Sequence, residues 1–363
     1  MTNYLLAGGG TAGHVNPLLA LAEHIRSEEP KSSVVALGTA EGLEARLVPL
    51  RNFELQTIER LPFPRRLNGY ALKFAPKFLK AVEQIRELIR SRQIDVVVGF
   101  GGYASAPAYL AARREKIPYV IHEANALPGL ANRFGARNAA AVATTFESTR
   151  LPGATVIGMP LRPELKSALG ALSKADARLQ LGLNPALTTL LVTGGSLGAK
   201  RINDGVAKAG DALDAAGIQL LHIIGAASDL EESTSKLMTR IRYCDRMELA
   251  IAAADLAVAR SGASTVCEFG AFGLPAVFVP YPVGNGEQRF NAEPLVAAGG
   301  AILVDDSNFT AEFVRDQVIP LISNTKRLKL MATAAKKISI VNGTENLFEL
   351  TRSVLPVNRR SDK

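Results

Sequence analysis

The most constraining feature of this sequence is a unit that recurs: a short apolar run, a glycine-rich turn, then a helix. In the first half Tyr4 to Ala7 runs into Gly8-Gly9-Gly10-Thr11-Ala12-Gly13-His14, and Asp95 to Val98 runs into Gly99-Phe100-Gly101-Gly102-Tyr103-Ala104-Ser105. In the second half Leu190 to Thr193 leads into Gly194-Gly195-Ser196-Leu197-Gly198-Ala199, and Leu256 to Ala259 into Arg260-Ser261-Gly262-Ala263-Ser264. DLAVARSGAST in the second half echoes DVVVGFGGYAS in the first. Apolar runs of this kind, alternating with helices, build parallel sheets buried on both faces. The two-fold repeat predicts an α/β chain of two facing, doubly wound, Rossmann-like domains with an interdomain cleft at their strand ends. Two prolines in Gly158-Met159-Pro160-Leu161-Arg162-Pro163 place the boundary there. With 363 residues, 47% of them hydrophobic, the chain can fill two cores.

Turns of this kind point free backbone N–H groups and the positive end of a helix dipole outward, where anionic groups bind. In the first turn Gly8, Gly10 and Gly13 satisfy a dinucleotide fingerprint, and a helix is expected from Asn16 or Pro17 to Arg26, with Pro17 in its first turn. The second strand, Ser33 to Leu37, ends in Gly38-Thr39-Ala40, so no acid stands where a cofactor ribose needs one. The expectation is a phosphate cradle without NAD or any other cofactor. In the last turn a helix is expected to open at Thr265 or Val266. Glu268 then lies one turn past Ser264 and Thr265, able to accept from a pair of sugar hydroxyls. The polar loop Gly284-Asn285-Gly286-Glu287-Gln288 extends a nucleotide-sugar pocket, against the plainer reading of a solvated carboxylate and simple turn glycines. His14 and His122 follow strands and are two of only four histidines, placed for chemistry or for anchoring a loop.

A net charge of +8 and a pI near 9.5 imply an anionic partner. No nucleic-acid-binding motif accompanies the charge, so phosphorylated substrate or lipid is expected instead. From Leu61 to Lys80, Phe63, Tyr70, Leu72, Phe74, Phe78 and Leu79 interleave with Arg65, Arg66, Lys73, Lys77 and Lys80. This is the composition of an anionic-membrane contact, and equally of a core-packed helix with a basic outer face. The N-terminus enters a strand with no leader, and no apolar run nears the roughly 20 residues of a membrane span, so a cytoplasmic protein is expected. Cys244 and Cys267 offer neither a disulfide framework nor metal-ligand spacing. Asp305-Asp306 beside Ser307-Asn308 reads as a turn or helix cap, and no metal site is expected.

In order along the chain, GGGTAGHVNP, GFGGYASAP, IHEAN, GMPLR, TGGSLGA, RSGASTVCE and GEQRFNA closely resemble the MurG family of N-acetylglucosaminyltransferases, which convert lipid I to lipid II in peptidoglycan synthesis. The resemblance spans essentially the whole chain. It implies the GT-B architecture, with residues 1–161 holding the lipid-linked acceptor and facing the membrane, 162–340 holding UDP-N-acetylglucosamine, and a helix in 341–363 returning to the first domain. It implies an inverting transfer to the acceptor's 4-hydroxyl by a peripheral enzyme at the cytoplasmic face of the membrane. Thr11, Ala12 and Gly13 match the family's first substrate loop, Ala12 replacing a common glycine. Asn125, Arg162 and Ser196 match donor-binding positions, Ser196 at a helix N-terminus near the diphosphate. Cys244 stands where backbone reads the uracil edge. Ala263, Ser264, Thr265, Val266, Cys267 and Glu268 form the nucleotide segment, Glu268 as ribose ligand. Gln288 and Asn291 match sugar-facing positions, and Glu287 stands where some members have Gln. His14 is the first candidate for general base and His122 the second. Other UDP-sugar enzymes of this fold, a glycolipid synthase or a non-hydrolysing epimerase, and a non-catalytic nucleotide-sugar binder remain the alternatives.

Overall fold

Successive side chains of Tyr4, Leu5, Leu6 and Ala7 point to opposite faces of their strand, yet all four are fully buried. Only a strand inside a sheet covered on both sides meets that condition. A computed structural model describes residues 1–64 and 69–356, with backbone alone at 70–72. The chain divides into two units, one of residues 1–163 with 341 onward, the other of residues 164–340.

The first unit holds β1 (Asn3–Ala7), β2 (Ser33–Thr39), β3 (Glu54–Ile58), β4 (Val96–Gly99), β5 (Tyr119–Glu123), β6 (Ala141–Thr144) and β7 (Ala154–Val156). They lie in the order β3-β2-β1-β4-β5-β6-β7, every neighbouring pair parallel. The order reverses between β1 and β4, where Ala7 stands beside Gly99. The helix after β1, Ala12–Glu28, packs Val15, Leu18 and Leu21 into one core with Tyr4 and Leu6. The helix after β4, Ser105–Arg114, packs Ala108 and Tyr109 into the other core with Leu5 and Ala7. The two glycine turns therefore leave neighbouring strand ends on opposite sides of the sheet.

The helix Gly343–Ser353 belongs to this unit. Its Leu347 and Phe348 join the core beneath Ala12–Glu28. Thr344 Oγ1 donates to the Leu161 carbonyl at 3.2 Å and Asn346 Nδ2 to that of Ile157 at 3.0 Å. The backbone approaches so closely that a Cβ on Gly343 would lie 2.3 Å from the Met159 carbonyl oxygen.

The second unit holds β8 (Thr189–Thr193), β9 (Gln219–Ile223), β10 (Ser233–Thr234), β11 (Met238–Ile241), β12 (Leu256–Ala259), β13 (Ala276–Phe278) and β14 (Ala301–Leu303). Their order is β10-β11-β9-β8-β12-β13-β14, parallel except for the short β10–β11 pair. Here the reversal falls between β8 and β12, with Thr193 beside Ala259.

Boundaries shift where glycines were read as turn and prove to be helix. The first helix opens at Ala12, so His14 sits in its first turn and Pro17 in its second. The fourth turn ends at Gly262, an extended N-cap, and the helix runs Ala263–Phe272. Strand β5 continues through His122 and Glu123.

Of the basic aromatic segment, Arg65 and Arg66 and the side chains of Tyr70 and Leu72 lie outside the described residues. The helix Gly69–Ser91 buries Val82, Ile85 and Ile89, and Phe74 and Phe78 pack half-buried against that core. Their rings stack at 5.7 Å. Lys77 pairs with Glu59. Phe63 and Leu79 are 41% and 47% exposed, with Lys73 and Lys80 in solvent. Phe74 and Phe78 are thus partly committed to the core, with only part of each ring open to solvent. Among the described residues no helix is long and apolar enough to cross a membrane, and no cluster of His, Cys, Asp and Glu is arranged to hold a metal ion.

Candidate active site

At the first unit's reversal point the two turns lock into one another. Ser105, fully buried, donates its hydroxyl to the Ala7 carbonyl at 2.9 Å and accepts from the Gly101 N–H at 3.0 Å. Gly101 and Gly102 adopt φ of +94° and +82°, and a Cβ on Gly102 would lie 2.5 Å from the Gly9 carbonyl oxygen. Both positions need glycine for conformation and for space.

His14 is half-buried, with Nδ1 2.9 Å from the Gly9 carbonyl oxygen and 3.4 Å from Thr11 Oγ1. A carbonyl only accepts, so Nδ1 carries the proton and Nε2 presents a bare lone pair. A Cβ on Gly101 would stand 2.9 Å from that Nε2. Thr11, extended and exposed, is the N-cap of this helix without a side-chain cap bond, and Ala12 and Gly13 form its first residues.

The first turn differs from a phosphate cradle in one respect. Glu44, which is fully buried, accepts from the Gly10 N–H at 2.7 Å through Oε2. An internal anion occupies that donor, so the turn is built to hold His14 rather than to receive a phosphate on Gly10.

His122 is buried completely. Burial pushes its pKa down to about 4, with the Gly158 backbone pulling upward and nearby His14 adding to the fall. Its Nε2 lies 3.3 Å from Thr145 Oγ1. Glu123 beside it is a structural hub, accepting from the Asn125 and Gly129 N–H groups and from Asn132 Nδ2, each at 2.9 Å. Tyr109, whose hydroxyl donates to Asn132 at 2.7 Å, completes the buried chain and has its pKa raised well above 10 by burial. Asn125 is half-buried and its carbonyl accepts from Thr149. Arg162, also half-buried, stands just before the helix Pro163–Ala168.

In the second unit the β8 turn is compressed. A Cβ on Gly194 would come within 2.3 Å of the Ala199 nitrogen. Ser196 is exposed in this turn, ahead of the helix Lys200–Ala207 rather than on its N-terminus, and its carbonyl accepts from Ala226 at 2.9 Å. Beside it, the β12 turn starts the helix Ala263–Phe272. The buried hydroxyls of Ser261 and Ser264 have no hydrogen-bond partner among the described residues. Glu268 is 9% exposed, and burial, then its charge, raises the Cys267 pKa. Asn291, fully buried, donates to the Ser261 carbonyl at 3.3 Å, tying the helix Glu287–Ala297 to this turn. Gln288 Oε1 accepts from Tyr281 at 3.0 Å and pins the loop between. Cys244 is buried in the segment after β11.

Residues 4–144 match the glycosyltransferase family 28 N-terminal domain, and residues 189–347 the family 28 C-terminal domain. The chain belongs to glycosyltransferase family 28. Within the family it is of the MurG type. It is 54% identical over 356 residues to the UDP-N-acetylglucosamine--N-acetylmuramyl-(pentapeptide) pyrophosphoryl-undecaprenol N-acetylglucosamine transferase of Clavibacter sepedonicus, covering 98% of this chain and 97% of that one. The crystal structure of MurG from Acinetobacter baumannii superposes with a TM-score of 0.78 at 28% identity, covering 97% of this chain and all of that one. The UDP-GlcNAc 2-epimerase of Neisseria meningitidis, with a TM-score of 0.66 at 14% identity over 96% of this chain and 99% of its own, shares the fold. Two parallel-sheet α/β units make this a GT-B glycosyltransferase.

Three groups in this glycosyltransferase escaped the sequence reading. Glu44 is one. Asn203 is another, donating to the Ile224 carbonyl at 2.9 Å and to Ser228 Oγ at 3.1 Å, and accepting from His222 Nε2 at 3.1 Å. The third is Arg260, which donates to the Val279 and Pro280 carbonyls at 3.0 Å and pairs with Asp306 at 2.7 Å. Asp306 was expected in a turn or cap. It lies in a short 3-10 turn, where it caps nothing and instead fixes Arg260.

The buried histidines make stability depend on pH. Burial lowers His122 to about 4 and, with Arg240 nearby, His222 to about 3. The unfolded chain takes up these protons near pH 6.5, the native chain only well below, so stability is complete above pH 6.5 and falls as pH drops toward 4. Urea unfolding at pH 5 should therefore show about 2 kcal/mol less stability per histidine than at pH 7. Equal stability at the two pH values would show that these imidazoles are not held neutral.

Proposed function

We propose that this enzyme transfers N-acetylglucosamine from UDP-N-acetylglucosamine to the 4-hydroxyl of the N-acetylmuramyl unit of lipid I, inverting C1 and giving lipid II. The observation that carries the reading is 54% identity across 98% of the chain to a transferase named for that donor and acceptor. In this reading the second unit holds the donor. Backbone at Cys244 reads the uracil edge and Glu268 takes the ribose hydroxyl pair. Ser196, with Ala263, Ser264, Thr265 and Val266 at the start of their helix, receives the diphosphate. The unpartnered hydroxyls of Ser261 and Ser264 support this placement, since buried hydroxyls left unsatisfied cost about 1–3 kcal/mol each. Cys267 packs behind, and Gln288 and Asn291 face the sugar, while Asn125 and Arg162 of the first unit keep the donor-binding role that the family resemblance implies.

Thr11, Ala12 and Gly13 border the acceptor beside His14. As the acceptor oxygen bonds to C1, its proton passes to His14 Nε2 and the C1–oxygen bond to UDP breaks. The helix N-terminus and Arg162 stabilise the departing diphosphate. His122 has neither exposure nor basicity for that role, which supports His14 as base and leaves His122 to brace the strand end.

Donor with lipid I should release UDP and yield the disaccharide lipid, whereas donor alone should stay unchanged. An isomerised sugar from donor alone would indicate an epimerase instead. His14→Ala should lower kcat by about 10²- to 10⁴-fold with donor KM within about twofold. A nearly intact kcat would remove His14 from the reaction.

The lipid-linked acceptor stays in the bilayer, so the enzyme would work as a peripheral protein at its cytoplasmic face, with the segment Leu61 to Lys80 as the contact. Phe63 and Leu79 are the exposed apolar groups there, and Lys73 and Lys80 the free-standing cations. Each cation near an anionic leaflet contributes about 1 kcal/mol. Wild type should co-sediment with anionic vesicles more than with neutral ones, and Lys73→Glu with Lys80→Glu should weaken that binding. Equal binding of both proteins would return the segment to ordinary helix packing.

A further inference from the structure

We propose that Glu44 is a positioning residue for His14, acting through the single peptide unit that joins Gly9 to Gly10. The inference rests on the reading of His14 as general base. The carbonyl of that peptide, on Gly9, accepts the His14 Nδ1 proton at 2.9 Å. The N–H of the same peptide, on Gly10, donates to Glu44 Oε2 at 2.7 Å. Carboxylate, peptide and imidazole thus form one relay, in which a rigid planar amide stands where other enzymes place the carboxylate directly behind the histidine.

The arrangement is built around the carboxylate. Glu44 is completely buried, and its other oxygen accepts from both the N–H and the hydroxyl of Thr39, at 2.8 and 2.9 Å. A Cβ on Gly9, Gly38 or Gly42 would fall 2.2, 2.4 or 2.1 Å from the nearest Glu44 side-chain atom. Three glycines in two chain segments leave the space that admits one anion. Three donors converge on it, the pattern that suits an ionised carboxylate.

Two effects follow. An amide that donates to an anion is polarised, so its carbonyl accepts more strongly from Nδ1. The anion also fixes which way the peptide faces. A Gly-Gly peptide is the easiest kind to flip, and Gly10 already sits at φ +87°. Flipped, it would present N–H to Nδ1 and favour the imidazole tautomer whose Nε2 carries the proton and cannot accept another. Glu44 holds the peptide, the peptide holds the tautomer, and the tautomer leaves Nε2 basic.

Glu44→Gln in the full-length enzyme keeps the side chain's shape and removes its charge. With UDP-N-acetylglucosamine and lipid I, kcat should fall about 10- to 100-fold, the scale of losing a partner that orients a histidine, while donor KM stays within about twofold. Nitrogen-15 spectra, with the His14 signals assigned by their loss in His14→Ala, should show wild-type His14 protonated at Nδ1 alone and the variant mixing both tautomers. In the His14→Ala background Glu44→Gln should cost nothing further. A folded Glu44→Gln enzyme with wild-type kcat, or one whose loss persists undiminished without His14, would overturn the relay. Should that variant fail to fold, the wild-type spectrum decides, because a proton on Nε2 contradicts the proposal. A dead His14→Ala enzyme beside a fully active Glu44→Gln enzyme would remove the relay and leave the base. A fully active His14→Ala enzyme would remove the base itself.

Discussion

A parallel sheet whose strand order reverses cannot cover the ends of the two strands at the reversal. Their following helices leave on opposite faces, and the turns between strand and helix stand uncovered side by side. In the first unit those strands are β1 and β4, and in the second β8 and β12. Apart from Arg162, which follows β7, every residue assigned here to proton transfer or to the diphosphate lies in or next to one of these four turns, or in a segment anchored to one. His14 follows β1, Ser196 follows β8, and the segment from Ala263 to Glu268 follows β12. Asn291 comes from a later helix but is bonded to the Ser261 carbonyl of that last turn. The topology chooses the place, and side chains choose the chemistry.

The glycines of the first unit act less as flexible joints than as vacated space. Side chains from elsewhere fill it. Glu44 occupies the volume in front of Gly9, Gly38 and Gly42, the Tyr109 ring lies against Gly99 and Gly135, and His14 lies against Gly101. Each of these side chains brings a polar or ionisable group, fully buried for Glu44 and Tyr109 and half-buried for His14, and each is hydrogen-bonded, which the cost of stranding such groups requires. Alanine at Gly9 would therefore displace a charge from its three donors, a different injury from the loss of backbone freedom. In the second unit Gly198 and Gly225 bring two backbone segments together, as Gly102 and Gly9 do in the first.

The strands and turns were legible because each is local: an apolar run, then glycines, within a dozen residues. Helix starts were less so, since Ala12 and Ala263 carry no signal that separates the end of a turn from the first residue of a helix. The groups that position the site were invisible for a related reason. Glu44 stands five residues beyond Thr39, past the strand end where an acid was sought, and reaches the first turn only because its helix folds back. The run of glycines around it, Gly38 and Gly42, was the available hint. Asn203 with His222, and Arg260 with Asp306, join residues 19 and 46 positions apart, and no spacing rule links them. For the basic aromatic segment the signal was present. Phe74 and Phe78 continue the helical stripe of Val82, Ile85 and Ile89, the face that packs on the core.

The central claim is a division of labour, with the donor's nucleotide held by the strand ends of the second unit and the base held by the first. Titration calorimetry with UDP on Glu268→Ala and on His14→Ala tests it most directly. The account predicts that Glu268→Ala weakens UDP binding by about tenfold or more, since hydrogen bonds to a charged acceptor are worth about 1.5–3 kcal/mol each, and that His14→Ala leaves the affinity unchanged. Unaltered UDP affinity in Glu268→Ala, or an equal loss in both variants, would contradict it.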